Sequence, residues 1–254
     1  MSDGLKEYKN FAKHLADLSG NIIKKYFRTK ISVESKTDYS PVTIADKQAE
    51  EFMREAIMKE FPDHGILGEE FGYHKPDAKF KWILDPIDGT KSFICGTVTF
   101  GTLIALTEND EPVLGVINQP ILNEFLIGDN FTAELNDVKV KSRNCGSLND
   151  AVLLTTDHLN IGKYQNYERF MNLVRIVRLY RNWGDCYGYY LVATGFADIM
   201  IDPIMSAWDS TALIPVIKGA GGIITDYQGS DPLKGNSIVA ASPGIHNLVI
   251  KTLN

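Results

Sequence analysis

Trp82-Ile83-Leu84-Asp85-Pro86-Ile87-Asp88-Gly89-Thr90 is the stretch from which the rest of the chain can be read. Its apolar start has the character of a buried strand and delivers an acid, Asp85. Pro86 fixes φ and has no N–H to donate, so the regular strand stops there. A second acid, Asp88, follows three residues after the first, and Gly89 lets the backbone approach a neighbour closely. Two acids bracketing a proline turn, with a Gly-Thr corner beyond, suit a hard cation that in turn holds a phosphate. Taken alone, the same pattern also describes an aspartate turn that bonds its own backbone.

Working outward, the flanks supply a frame. Upstream, Leu5, Tyr8, Phe11, Ala12, Leu15, Leu18 and Ile22 recur at helical spacing and predict a long first helix ending near Tyr26. Residues 31–35 alternate like a strand, and Lys36 to Pro41 reads as a polar loop. A second helix follows with Ala45, Ala49, Phe52, Met53, Ala56 and Ile57 inward, Thr43 as N-cap and Asp46 three residues on. Gly65 to Leu67 is a short strand leading into Gly68-Glu69-Glu70. Downstream, Thr99 to Leu106, Pro112 to Asn118 and Leu122 to Ile127 read as neighbouring antiparallel strands separated by turns. The polar segment 141–150 marks a division into an N-terminal α+β subdomain, 1–142, and a C-terminal α/β subdomain, 143–254. In the latter, strands at 151–155, 177–180, 197–201, 222–225 and 237–240 alternate with helices at 167–174, 186–193, 207–217 and 246–253. That alternation predicts an α/β layer with helices on both faces.

At 254 residues the chain has ample material for a core. A net charge of -6 lacks the basic excess of a general nucleic-acid binder. The cysteines, Cys95, Cys145 and Cys186, are few and widely spaced, which implies neither a disulfide framework nor a zinc cluster and fits a reducing cytoplasm. No signal peptide is expected from the first residues, and no window is apolar for long enough to span a membrane.

Asp46, Glu69, Asp85, Asp88 and Asp209 share one property: each sits where an element begins or ends. Acids at helix starts also have a plain explanation, since they cap the helix and oppose its dipole, and Glu69 alone reads as a surface acid. What groups them is chemistry. Mg²⁺ takes oxygen ligands in near-octahedral geometry, and several such ions need about four carboxylates, at least one of them bridging.

Gly68-Glu69-Glu70, the 82–90 stretch, Trp208-Asp209 with Lys218-Gly219-Ala220-Gly221-Gly222, and Pro41-Val42-Thr43-Ile44-Ala45-Asp46 together resemble the signatures of the inositol monophosphatase superfamily, in order and spacing, through nearly the whole chain. The resemblance implies a layered αβαβα sandwich and a Mg²⁺-dependent phosphomonoesterase, usually a homodimer. By position it implies that Glu69, Asp85 and the carbonyl of Ile87 hold a first ion, that Asp85, Asp88 and Asp209 hold a second, and that Glu69 helps place a third. It gives Asp46 and Thr90 the orientation and deprotonation of the attacking water, with Glu69 counted among the catalytic groups. The N–H groups of Gly89 and Thr90 would bind phosphate, and Lys36 falls where relatives often carry a basic residue.

Substrate choice must lie with groups that touch the alcohol. Asp185, Asp202 and Asp88 are the candidates. Gly184-Asp185-Cys186-Tyr187, Ser92 to Gly96, Gly101 to Ile104 and Asn118 to Leu122 resemble the branch that includes histidinol-phosphate phosphatases. Histidinol phosphate carries an ammonium group and an imidazole, which Asp185 could pair with and Tyr187 or Tyr189 could face. Alternatively, Asp185 caps a helix and the tyrosines pack the core. Inositol 1-phosphate, a 3'(2'),5'-bisphosphate nucleotide, and a non-catalytic phosphate-binding regulator are the competing readings. His14, His64, His74, His158 and His246 are scattered, and Cys186 has no histidine placed by sequence to activate it.

Overall fold

The computed structural model describes residues 3–30, 32–35 and 41–254; Lys36 and the loop around it lie outside them. The chain opens with α1 (Asp3–Tyr26), then pairs β1 (Val33–Ser35) with β2 (Pro41–Thr43) before α2 (Ile44–Glu60). Next come β3 (Gly65–Gly68), β4 (Gly72–His74), β5 (Phe80–Asp88) and the short α3 (Thr90–Ile94). The strands β6 (Gly101–Glu108), β7 (Glu111–Gln119), β8 (Glu124–Gly128), β9 (Ala133–Leu135) and β10 (Val138–Val140) follow as a meander. The remainder runs β11 (Val152–Thr155), α4 (His158–Tyr164), α5 (Tyr167–Ile176), β12 (Leu179–Arg181), α6 (Asp185–Ala193) and β13 (Ile199–Asp202). It closes with α7 (Ala207–Ser210), α8 (Leu213–Gly219), β14 (Ile223–Thr225), β15 (Ile238–Ala241) and α9 (His246–Leu253).

These elements make five layers, the αβαβα sandwich expected. α1 and α2 cover one face of an eight-stranded sheet ordered β10-β9-β8-β7-β6-β5-β3-β4. α6 and α8 fill the space between its other face and a five-stranded sheet ordered β12-β11-β13-β15-β14, and α5 and α9 pack together on the far side. The larger sheet draws its strands from residues 65–140 and the smaller from 152–241, so the polar 141–150 segment runs between sheets. Packing does not divide there. A single apolar cluster joins Leu67, Ile83, Leu103 and Ile117 to Leu154, Tyr189, Met200, Leu213 and Ala240.

Strand parity in β5 aims the central acids. Trp82 and Leu84 face α1 and α2, packing with Leu15, Met53 and Ile57, while Ile83 faces the middle layer. Side chains alternate, so Asp85 points with Ile83 toward the middle layer. Three residues on, Asp88 would normally point the opposite way. It does not, because the register slips: Asp85 pairs with Leu103 and Asp88 with Gly101, which inserts one extra residue on β5. That irregularity, at Pro86, returns Asp88 to the face Asp85 uses, and Ile87 turns back to pack with Ala45, Ala49 and Phe93.

Several details differ from expectation. Phe52 is exposed, not inward. Residues 207–217 form two helices, α7 and α8. α4, β2, β4, β9 and β10 have no counterpart in the sequence pattern, and Pro41, read as the end of a polar loop, begins β2. Among the described residues, no helix is long and apolar enough to cross a membrane.

Candidate active site

The buried end of β5 meets the start of α7. One carboxylate oxygen each from Asp85, Asp88 and Asp209 lies within 4.8 Å of the others. Asp85 is 2% exposed, and its Oδ1 accepts the N–H of Ile87 at 3.0 Å, which stiffens the turn. Asp88 accepts a short bond from the N–H of Cys186. Asp209 is the third residue of α7 and forms a capping box with Ser206, accepting its N–H at 2.8 Å. The plain capping role and the clustering therefore coexist, since a carboxylate has two oxygens.

Burial drives the pKa values of this cluster upward, and mutual repulsion adds to it. Asp85 is raised well above the usual carboxylate range by burial and then by the charges of Glu69, Asp88 and Asp209. Asp88 is raised by burial and by Asp185 and Asp209. Asp209 is pushed up to about 7, chiefly by burial, against the bond from Ser206. Glu69, immediately after β3, is close enough to act on both Asp85 and Asp209. A group of one buried and several half-buried acids, with oxygen donors only and no sulfur or imidazole among them, fits a hard divalent cation and not a zinc-type ion.

Beside the cluster, Thr90 begins α3. Its hydroxyl lies 3.1 Å from the carbonyl of Ile87 and 3.5 Å from Oδ1 of Asp46. Asp46 has no exposed surface. Its Oδ2 is held by the N–H of Thr43 at 2.8 Å and the hydroxyl of Thr43 at 2.6 Å, so the helix cap uses one oxygen and leaves the other facing Thr90. Burial pushes the Asp46 carboxyl up to about 6 against those two bonds. Gly89 sits at φ 87°, in the left-handed region that glycine favours, and α3 is only five residues long, so its dipole adds little to the N–H groups of Gly89 and Thr90. What approaches Gly89 is Asp185: a Cβ at residue 89 would fall 2.7 Å from its Oδ2.

Asp185 opens α6, and Asp202 ends β13. Both line one cavity with Asp88, Asp209, Asp157 and Asn160, so the structure brings all three substrate candidates together. Ser92 donates its hydroxyl to Asp185 at 2.8 Å and receives that of Thr99 at 3.0 Å. Thr156 ties the two acids, its N–H donating to Asp202 at 3.2 Å and its hydroxyl receiving the N–H of Asp185 at 2.9 Å. The tyrosines are not cavity walls. Tyr189 is fully buried and gives its hydroxyl to Asp202 at 3.0 Å, and Tyr187 stacks on Tyr190 at 5.1 Å. Cys186 is buried and its thiol is pushed well up by burial, which removes it as a nucleophile. None of the histidines lines the cavity.

Thr156, Asp157, Asn160 and Glu50 carry no motif that would single them out in the sequence, and Ser92 stands out only as the first residue of the 92–96 run. Glu50 alone left a signal: it lies one helical turn after Asp46, beside Ala49 and Met53, on a face expected to be apolar.

The model of the inositol monophosphatase family matches residues 5–254. This chain belongs to the inositol monophosphatase family. It is 48% identical over 220 residues to the bifunctional phosphatase IMPL2, chloroplastic, of Arabidopsis thaliana, covering 85% of this chain and 63% of that longer protein. It is 39% identical over 237 residues to a histidinol-phosphatase of Chlorobaculum parvum, covering 91% of this chain and 90% of the relative. The solved structure of an inositol monophosphatase from Zymomonas mobilis superposes with a TM-score of 0.87 at 37% identity, over 99% of this chain and 98% of that one. As a member of the family the chain is a phosphatase.

Proposed function

We propose that this phosphatase is Mg²⁺-dependent and hydrolyses histidinol phosphate to histidinol and phosphate. The observation that carries the reading is the meeting of Asp85, Asp88 and Asp209 within 4.8 Å, with Asp185 and Asp202 in the adjoining cavity. In this reading Glu69, Asp85 and the carbonyl of Ile87 hold one ion, Asp85, Asp88 and Asp209 a second, and Glu69 contributes to a third. When bound, such ions supply the positive charge that attracts phosphate oxygens and lowers the pKa of water. The chain's own groups do the rest. The hydroxyl of Thr90 orients the attacking water, and Asp46, with its free oxygen beside that hydroxyl, takes the proton. Phosphate meets the N–H groups of Gly89 and Thr90. Displacement is direct, with no covalent enzyme intermediate.

An acidic cavity favours an alcohol that carries positive charge, because an ion pair sheltered from water is worth more than one at the surface. The ammonium of histidinol phosphate meets that requirement, and in this reading Asp185, which lines the cavity, pairs with it. The identity to a relative named histidinol-phosphatase supports the same choice. The second reading, inositol 1-phosphate, draws on the similarity to a structure named inositol monophosphatase. Comparing kcat/KM for histidinol phosphate, inositol 1-phosphate and adenosine 3',5'-bisphosphate decides between them. We expect histidinol phosphate to lead by tenfold or more, about 1.4 kcal/mol. Asp185→Asn should erase that lead and leave inositol 1-phosphate within about threefold, because only the cationic substrate loses an ion pair. A preference for inositol 1-phosphate would overturn the substrate, and failure on every ester with Mg²⁺ would favour a regulatory role. A cytoplasmic homodimer completes the reading; a monomer mass by light scattering would remove that part.

A further inference from the structure

Glu50 sits on α2, one turn after Asp46, with no exposed surface. A buried carboxylate needs compensation. Three donors supply it: the N–H of Glu70 at 2.8 Å, the N–H of Phe71 at 3.2 Å and Nη1 of Arg54 at 3.1 Å. Arg54 also donates to the carbonyl of Gly72 at 3.0 Å. The carboxylate thus lies directly beneath the turn that presents Glu69. Gly68 shows how closely: a Cβ there would fall 1.8 Å from Glu50 Oε1, so residue 68 is a glycine because the carboxylate fills the space a side chain would need. On the other side, the N–H of Glu69 donates to the carbonyl of Leu84 at 3.1 Å, tying the turn to β5 one residue before Asp85. The backbone of Glu69 is therefore fixed at its own N–H by β5 and at the next two by Glu50.

We propose that Glu50 is a positioning residue for the acid cluster: by clamping the Glu69-Glu70-Phe71 turn it sets Glu69 against Asp85, and so sets the affinity for Mg²⁺. This rests on Glu69 being a metal ligand, as argued above. Glu50 acts through the backbone. Removing a partner that orients a metal ligand typically costs about 10–100-fold in metal affinity. A purely structural acid would behave differently, and Asp198 provides the comparison. It too has no exposed surface and is bonded by the N–H of Val152 at 2.7 Å and Nε of Arg143 at 2.9 Å, at the start of β11.

The experiment is thermal melting of the full chain in EDTA and across a titration with MgCl₂ alone. Glu50→Gln keeps the shape but replaces one acceptor oxygen with a donor. It should move the midpoint of the Mg²⁺-dependent rise in Tm upward by about tenfold or more. Arg54→Ala, which leaves Glu50 in place but loosens it, should move the midpoint in the same direction by about threefold. Asp198→Asn should lower Tm in EDTA and leave the midpoint unmoved. A Glu50→Gln midpoint within about twofold of wild type overturns the inference, as does an equal shift in Asp198→Asn. If Glu50→Gln does not fold, an unmoved midpoint in Arg54→Ala overturns it. A wild-type protein with no response to Mg²⁺ would overturn the metal reading and this inference with it, whereas a normal wild-type response with unmoved variants overturns this inference alone.

Discussion

Asp185 sits at φ 51°, in the left-handed region that non-glycine residues rarely occupy. Such a conformation costs of order 1 kcal/mol or more and persists only where the surroundings hold it. Here Ser92 and Thr156 do so, one on its carboxylate and the other on its N–H. Asparagine tolerates this region well, so Asp185→Asn should fold, and a loss of selectivity in it reports lost charge. Asp202 offers a separate test. Burial raises its carboxyl to about 7, with the charge of Asp185 adding and the bonds from Thr156 and Tyr189 opposing. Its unfolded value is about 3.9. A folded pKa above the unfolded one means that Asp202 contributes stability fully present below the unfolded value and lost as pH rises through about 7. Asp202→Asn cannot titrate. Its stability relative to wild type should therefore improve steadily from pH 4 to above pH 7, by on the order of 4 kcal/mol at most. Urea melts of both proteins across that range, at fixed Mg²⁺, measure it, and a pH-independent difference would refute the assignment.

At the scale of elements, α2 carries structure and chemistry on the same residues. Its cap, Thr43, accepts the N–H of Ala45 at 3.1 Å and also restrains Asp46. Thr43→Ala should lose roughly 0.5–2 kcal/mol of stability, the usual worth of such a cap. It should also lower kcat more than it raises KM, because Asp46 loses the bond that aims its free oxygen at Thr90. Equal kcat in wild type and variant, with the stability loss present, would separate Asp46 from the proton transfer. The same helix shows where the sequence could be read and where it misled. Ala45, Ala49, Met53 and Ile57 were legible as an inward stripe, but Asp46 and Glu50 are buried too. They rotate the buried face toward themselves and leave Phe52 at the rim, 45% exposed. The long strands β5, β6 and β7 were legible because eight or nine residues carry a pattern. β4, β9 and β10 have three residues each, too few for a period to show, and unlike the equally short β12 and β14 they do not fall in an alternation of strands with helices. The split between α7 and α8 had a signal in Pro215, the third residue of α8, since proline is tolerated in a first turn, where no intrahelical partner is needed for its missing N–H.

At the scale of the whole molecule, motifs could name the acid cluster while residue periodicity could not assemble it. Asp85 and Asp88 leave β5 on the face toward the middle layer, and Asp209 reaches them because α7 and α8 pack against that face. The convergence depends on how two sheets and the helices between them stack, which no local period encodes. The same layer makes a prediction about stability. Its apolar cluster takes residues from both sides of the 141–150 segment, so neither half can bury its own middle face alone. Chains of this length often unfold through intermediates, and two sheets drawn from separate stretches of sequence invite that outcome. The shared cluster argues for the opposite: one cooperative transition. Ile83→Ala, in the larger sheet, and Leu213→Ala, in α8, should each cost about 2–5 kcal/mol. If the layer couples the halves, either substitution shifts the whole urea curve equally by two probes, the fluorescence of Trp82, Trp183 and Trp208 and far-ultraviolet circular dichroism. Two separated transitions, or a variant that moves one probe and spares the other, would show that the sheets unfold independently and that the metal acids on β5 and α7 belong to separately folding units.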